Sequence, residues 1–163
     1  MLAVTIRPIR ELGDPVLRTP SDEVTAFDGW LAALVRDLVD TVDHPGRAGV
    51  AAPQIGVNVR AFSYNIDGVI GHMVNPVIVE RSEEIQDGDE GCLSVPGIWA
   101  PTVRAMRCVA EGFDVDGKPL RLEGEGLMAR CLQHEVDHLD GRVFLDRLTG
   151  DARKSALRAL RDR

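Results

Sequence analysis

The stretch Gln133-His134-Glu135-Val136-Asp137-His138-Leu139-Asp140-Gly141 carries two histidines and a glutamate at a spacing that suits metal chemistry. On a helix, residues four apart share one face, one turn above the other. His134 and His138 can therefore hold a divalent cation between them while Glu135 moves a proton beside it. The same letters also fit two unrelated imidazoles on a surface turn, and a third ligand would decide. An open catalytic site normally has three protein ligands and a water. One zinc-protease class has its third histidine six residues after the second; here that place is Phe144, although Gly141 does stand at that class's glycine position. After His138 there is no Glu and no His, so the ligand comes from upstream or from a late aspartate. Cys131 shares the helix face, but at three residues before His134 it lies about 4.5 Å further down the axis. A short thiol does not span that gap, and Cys131 reads as a small buried hydrophobe. Cys92, in Glu90-Gly91-Cys92-Leu93-Ser94, reads by itself as a core cysteine with an apolar neighbour.

A wider pattern changes that reading. Gly49-Val50-Ala51-Ala52-Pro53-Gln54, then Glu90 to Ser94, then Gln133 to Gly141 resemble, in this order, the three motifs of bacterial peptide deformylases. These enzymes remove the formyl group from the N-terminal methionine of new polypeptides. Gly13-Asp14-Pro15-Val16-Leu17-Arg18, Val74-Asn75-Pro76 and Gly141-Arg142-Val143-Phe144 extend the resemblance over most of the chain. It implies a metal held by Cys92, His134 and His138, with Glu135 as general base and then acid. It also implies that the Gln54 amide and the Leu93 backbone N–H stabilise charge on the formyl oxygen, and that Gly49 allows close approach of the substrate. Val50, Gly91, Leu127 and Cys131 are the implied substrate contacts, with Val50, Leu127 and Cys131 lining an apolar slot for methionine. Arg130, on the same turn, is expected to turn its charge elsewhere. One divalent ion per chain is implied, ferrous iron in the cell, and a Cys-His-His donor set also suits zinc, nickel or cobalt. The implied partners are formyl-methionyl nascent peptides.

Two places depart from the family pattern. The first motif usually opens Gly-x-Gly-Leu, and here those positions are Arg47, Ala48, Gly49 and Val50. Arg47 either reaches along a bound peptide or caps the turn before it. Gly97-Ile98-Trp99-Ala100 matches no catalytic feature of the family.

These residues need elements to hold them. Residues 1–25, with Pro8, Pro15 and Pro20, read as an extended, turning arm. Leu31, Leu34, Val35, Leu38 and Val42 follow helical spacing from an Asp28 N-cap to Asp43, and His44-Pro45-Gly46 ends that helix. Gly46 to Gly56 reads as a loop. Val57–Ile66, Met73–Val79, Met106–Val115 and Leu120–Glu123 read as strands, with Asp116-Gly117 as a hairpin turn. Helical pattern returns from about Glu125 to Leu139 and again from Asp151 to about Leu160. The order predicts an α+β fold, mixed or antiparallel strands around the central metal-binding helix, in one domain over residues 1–163.

Composition bounds the rest. A hydrophobic fraction of 44% in 163 residues suits a single soluble core. The net charge of -7 argues against DNA binding. Three unevenly spaced cysteines make no disulfide framework. Met1 to Arg10 lacks a signal pattern and no apolar run reaches membrane length, so the expected compartment is the reducing cytoplasm. Asp151 to Arg163 carries five basic side chains (Arg153, Lys154, Arg158, Arg161, Arg163) against Asp151 and Asp162, a solvated face or a weak ribosome contact. Cys108 reads as core, and His44 and His72 as histidines outside the site. Two rivals share these features. A metallopeptidase would turn the same glutamate on an internal amide, and a zinc-stabilised binding protein would need a fourth strong ligand.

Overall fold

A computed structural model describes residues 3–163, so the first two residues of the expected arm lie outside the described residues. Helix α1 spans Gly29–Val42, and the Asp28 carboxylate accepts the Leu31 N–H at 3.1 Å as the expected cap. Seven strands follow: β1 Gly49–Ala51, β2 Ala61–Ile66, β3 Val69–Arg81, β4 Ile85–Cys92, β5 Val95–Ala105, β6 Arg107–Phe113 and β7 Pro119–Glu125. Helix α2 is Leu127–Leu139 and helix α3 is Gly150–Arg161. The fold is α+β with antiparallel pairing: a five-stranded sheet in the order β1-β2-β3-β6-β7 and a separate β4-β5 hairpin.

Period-two alternation explains how the sheet serves two helices. Val50, Ala61 and Val74 turn to one face and pack with Leu31, Leu34 and Leu38 of α1. Their neighbours Ala51, Phe62 and Met73 turn to the other and pack with Ala129, Leu132 and Leu139 of α2. Cys108 joins this second cluster as expected. A third cluster ties Val95, Ile98 and Ala100 of β5 to Phe144 and Ala156. Helix α2 is thus enclosed, with the large sheet on one side and the β4-β5 hairpin on the other. Gln133 pins it there: its side-chain amide accepts from the Ala105 N–H and donates to the Ala105 carbonyl, both at 3.1 Å.

Two elements differ from the sequence reading. Gly46 to Gly56 is not only a loop, since Gly49–Ala51 pairs with Phe62 to Tyr64 as an edge strand and a 3-10 turn follows at Ala52–Ile55. The β4-β5 hairpin is absent from that reading, because Gly88, Gly91, Pro96, Gly97 and Pro101 interrupt its alternation. Among its described residues the arm contains one 3-10 turn, Pro15–Arg18, whose Leu17 is fully buried.

His72 lies outside the metal centre, on β3. Its Nε2 accepts the Val115 N–H at 3.0 Å, a bond that the neutral ring alone can make. Burial pushes its pKa below the ordinary value, only partly offset by Asp114 and Asp116. Below about pH 6.5 the unfolded chain binds this proton first. Stability should therefore be complete above that pH and decline as pH falls towards the folded value. Denaturant titrations should show this decline, and His72→Gln should remove it.

Candidate metal centre

The hairpin and α2 bring the chemistry together. Nε2 of His134 and Nε2 of His138 lie 3.2 Å apart, and Cys92 Sγ is 3.3 Å from His138 Nε2. All three donor atoms fall within 4.8 Å of one another, a grouping able to hold one metal ion. The strand supplies Cys92 at the end of β4, and the helix supplies the histidines one turn apart, as their spacing required.

A carboxylate fixes the first ring. Glu90 Oε2 is 2.7 Å from His134 Nδ1. An ionised carboxylate only accepts, so Nδ1 carries a proton, which leaves Nε2, facing Cys92 and His138, as the nitrogen able to ligate. Glu90 itself is buried and held by Arg104 Nη2 at 2.7 Å and Arg130 Nη1 at 2.7 Å. Arg104 also donates to Asp137 at 2.7 Å, and Asp137 accepts from Arg147 at 2.7 Å. Burial would push the Glu90 carboxyl up, but the hydrogen bonds from His134 and Arg104 hold it well below the usual carboxylate range.

The same balance sets the other groups. Burial raises the Cys92 thiol, yet the facing imidazoles of His138 and His134 win and hold it well below its ordinary value. Burial lowers His134, but Glu135, Cys92 and Glu90 outweigh it and favour positive charge there. This is the potential a divalent cation needs: one thiolate, two imidazoles and two nearby carboxylates. The donor set therefore fits a metal such as zinc or ferrous iron. Cys131 behaves differently. Burial, then Glu135 and Glu90, push its thiol well above the ordinary value, and its Sγ lies 3.4 Å from the Ala48 carbonyl. It stays a neutral wall residue.

Glu135 is buried beside the cluster, its Oε1 without a hydrogen-bond partner. Burial pushes its carboxyl up, countered in part by His134 and His138. Gly49 makes room for it: a Cβ at Gly49 would stand 2.6 Å from Glu135 Oε2. The expected role of this glycine is clearance for substrate; in the folded chain its bare Cα also receives the Glu135 carboxylate. Gln54 is oriented by its neighbours. Its Oε1 accepts the Ala51 N–H at 2.9 Å, which turns Nε2 towards Ser94 Oγ at 3.1 Å and Cys92 Sγ at 3.7 Å.

A cavity of ≈ 370 Å³ opens onto this centre. Of the residues expected from sequence, Gly49, Gln54, Gly91, Cys92, Leu93 and Glu135 border it. Leu127, Cys131 and His134 do so as well, while His138 lies fully buried behind. Val50 does not line it. Alternation that aims Gly49 at Glu135 turns Val50 the other way, into the core under α1, and Ala48 borders the cavity instead. Arg130 does turn its charge away from an apolar slot, as expected, but its target is the buried Glu90, and it still forms part of the wall. Arg47 donates from Nη1 to the Thr41 carbonyl at 2.8 Å, capping the end of α1 rather than reaching along the cavity. Sequence reasoning missed Glu90, Arg104 and Asp137 as supports. The available signal was Glu90 two residues before Cys92, on the strand face that meets the histidines.

Comparison with known proteins agrees with this geometry. The profile of the polypeptide deformylase family matches residues 6–154. A peptide deformylase of Acidothermus cellulolyticus is 56% identical over 159 residues, covering 98% of this chain and 88% of that one. The crystal structure of the Thermus thermophilus enzyme superposes with a TM-score of 0.90 at 42% identity, covering 96% of this chain and 94% of that one. A Synechococcus elongatus peptide deformylase solved in complex with actinonin gives 0.88 at 32% identity, over 98% and 91% of the two chains. With its three motifs meeting at one Cys-His-His cluster and a profile match over most of its length, this chain belongs to the polypeptide deformylase family.

Proposed function

We propose that residues 1–163 act as one catalytic domain that hydrolyses the formyl amide of formyl-methionyl peptides, with the roles below. The observation that carries this is the unpartnered Glu135 carboxylate beside the Cys92-His134-His138 cluster, at the floor of the cavity. A divalent ion held by those three side chains would polarise the formyl oxygen and make water acidic enough to attack near neutral pH. Glu135 accepts the proton of the attacking water and passes it to the leaving amine. The Gln54 amide and the Leu93 N–H face the oxygen where charge develops, and losing one such donor typically costs ~3 kcal/mol in the barrier. Glu90 keeps His134 in the tautomer that ligates. Formate and a free N-terminal methionine leave.

The substrate lies extended between Ala48-Gly49 and the outer edge of β4, adding a strand to exposed backbone. Its formyl end meets Cys92 and its methionine side chain enters between Leu127 and Cys131, with Ala48 in the place expected of Val50. We place the enzyme in the cytoplasm with ferrous iron as its ion; zinc, nickel and cobalt fit the same donors. No helix among the described residues is long and apolar enough to cross a membrane. Arg153, Lys154, Arg158, Arg161 and Arg163 are exposed on and after α3 and suit a weak contact with an anionic surface such as the ribosome.

Incubating the metal-loaded protein with formyl-Met-Ala-Ser should release formate stoichiometrically with Met-Ala-Ser. Cleavage of internal amides without formate would replace this reading with a peptidase. A sharper check is Gly49→Ala. The added Cβ must displace Glu135, and a misplacement of about 1 Å can cost ~100-fold in rate. Overpacking should remove only about 1–3 kcal/mol of stability. Near-normal kinetics in Gly49→Ala would mean that Glu135 is not held by this contact.

A further inference from the structure

We propose that Trp99 selects the side chain that directly follows the formyl-methionine, taking an apolar or aromatic group onto its ring. This rests on reading the cavity as the formyl-peptide site. Trp99 stands on β5 between buried Ile98 and Ala100, so alternation turns its ring outward, where it is 70% exposed. A large aromatic surface left in water beside a binding groove is the kind of surface that contacts use. The ring also has a fixed seat. Gly91 lies under it, and a Cβ there would come within 2.7 Å of Trp99 Cε3 and 2.8 Å of Cδ2. Gly91 falls at the register shift between Glu90 and Cys92, the one irregularity in the β4-β5 pairing.

The direction of neighbouring side chains places the subsite. Glu90 and Cys92 both turn to α2, the first 2.7 Å from His134 and the second 3.3 Å from His138. The Gly91 α-carbon faces the opposite way, towards Trp99. A peptide lying along β4 with its methionine turned to α2 must turn its next side chain away from α2, since successive side chains alternate. That is the side of the indole, which borders the same cavity. The third side chain returns to the α2 side, near the exposed Leu127.

The test compares formyl-Met-Phe-Ser, formyl-Met-Ala-Ser and formyl-Met-Ala-Phe. The wild-type chain should favour Phe over Ala at the second position by about three- to tenfold in kcat/KM, carried by KM. Trp99→Ala should bring that ratio close to one, with turnover of formyl-Met-Ala-Ser within about twofold of wild type, and Trp99→Phe should retain most of the preference. Binding gives a second readout. Trp30 and Trp99 are the only two tryptophans. In a Trp30→Phe background, emission should therefore change more with Met-Phe-Ser than with Met-Ala-Ser. A preference that survives Trp99→Ala, or that appears only in formyl-Met-Ala-Phe, overturns the assignment while leaving the deformylase reading intact. No formate from wild type with any of the three peptides overturns the cavity reading, and the Trp99 subsite with it.

Discussion

Glu135→Gln should retain its metal and fold while formate release falls by ~100- to 10,000-fold. The amide has nearly the shape of the carboxylate, so its fit against Gly49 and behind the ligands is kept. What it loses is the ability to accept a proton from water and return it to the amine. The site offers no ready substitute. Glu90 is engaged by Arg104, Arg130 and His134. Cys131 is a neutral thiol turned to the Ala48 carbonyl. Glu135→Asp should recover part of the activity, because it keeps the proton chemistry and shortens the reach by one methylene. Metal content and formate kinetics on the three proteins check this. Full activity in metal-loaded Glu135→Gln would assign the proton transfer to another group.

The helix that carries this glutamate was legible because its information is local. His134, Glu135 and His138 need only the helical period to converge, and α1 likewise followed from its five apolar positions and the Asp28 cap. The long strands of the main sheet were legible for the same reason. The β4-β5 hairpin was not, although it brings Cys92 and Glu90 to the metal centre. Its glycines and prolines look like loop punctuation, and the strands hold together through cross-strand register and the support of α2. Cys92 as a ligand entered through the resemblance to deformylases, because nothing in its local sequence separates a ligand from a core cysteine.

The error at Val50 and the two explanations of Gly49 share a cause. A motif fixes which residues stand together, but the face each one presents depends on the strand they form. Once Gly49–Ala51 pairs with β2, Gly49 meets Glu135 and Val50 must enter the core. Arg47 shows the same limit from the other side. The carbonyl it caps, that of Thr41, becomes available because α1 ends just there.

Cys92→Ser should abolish metal-dependent stabilisation, whereas Cys131→Ser should leave it almost unchanged. A ligand present at ~1,000 times its Kd stabilises the folded state by about 4 kcal/mol. For a chain of this size that raises Tm by roughly 8–16 °C, the span removed by a chelator. Serine at position 92 is neutral and hard where the thiolate is charged and soft. It also replaces the large, charged acceptor that Ser94 N–H and Gln54 Nε2 now face at 3.4 and 3.7 Å with a smaller neutral hydroxyl. Losing a supporting partner of a ligand already costs ~10- to 100-fold in affinity, so losing the ligand should exceed that. Cys131→Ser changes a wall of the cavity and should appear in KM for formyl-methionyl peptides instead. Thermal unfolding with and without added zinc, together with metal analysis, measures both. Retention of the zinc-dependent Tm shift in Cys92→Ser, with its loss in Cys131→Ser, would mean that the metal is held from within α2 and that the hairpin only covers it.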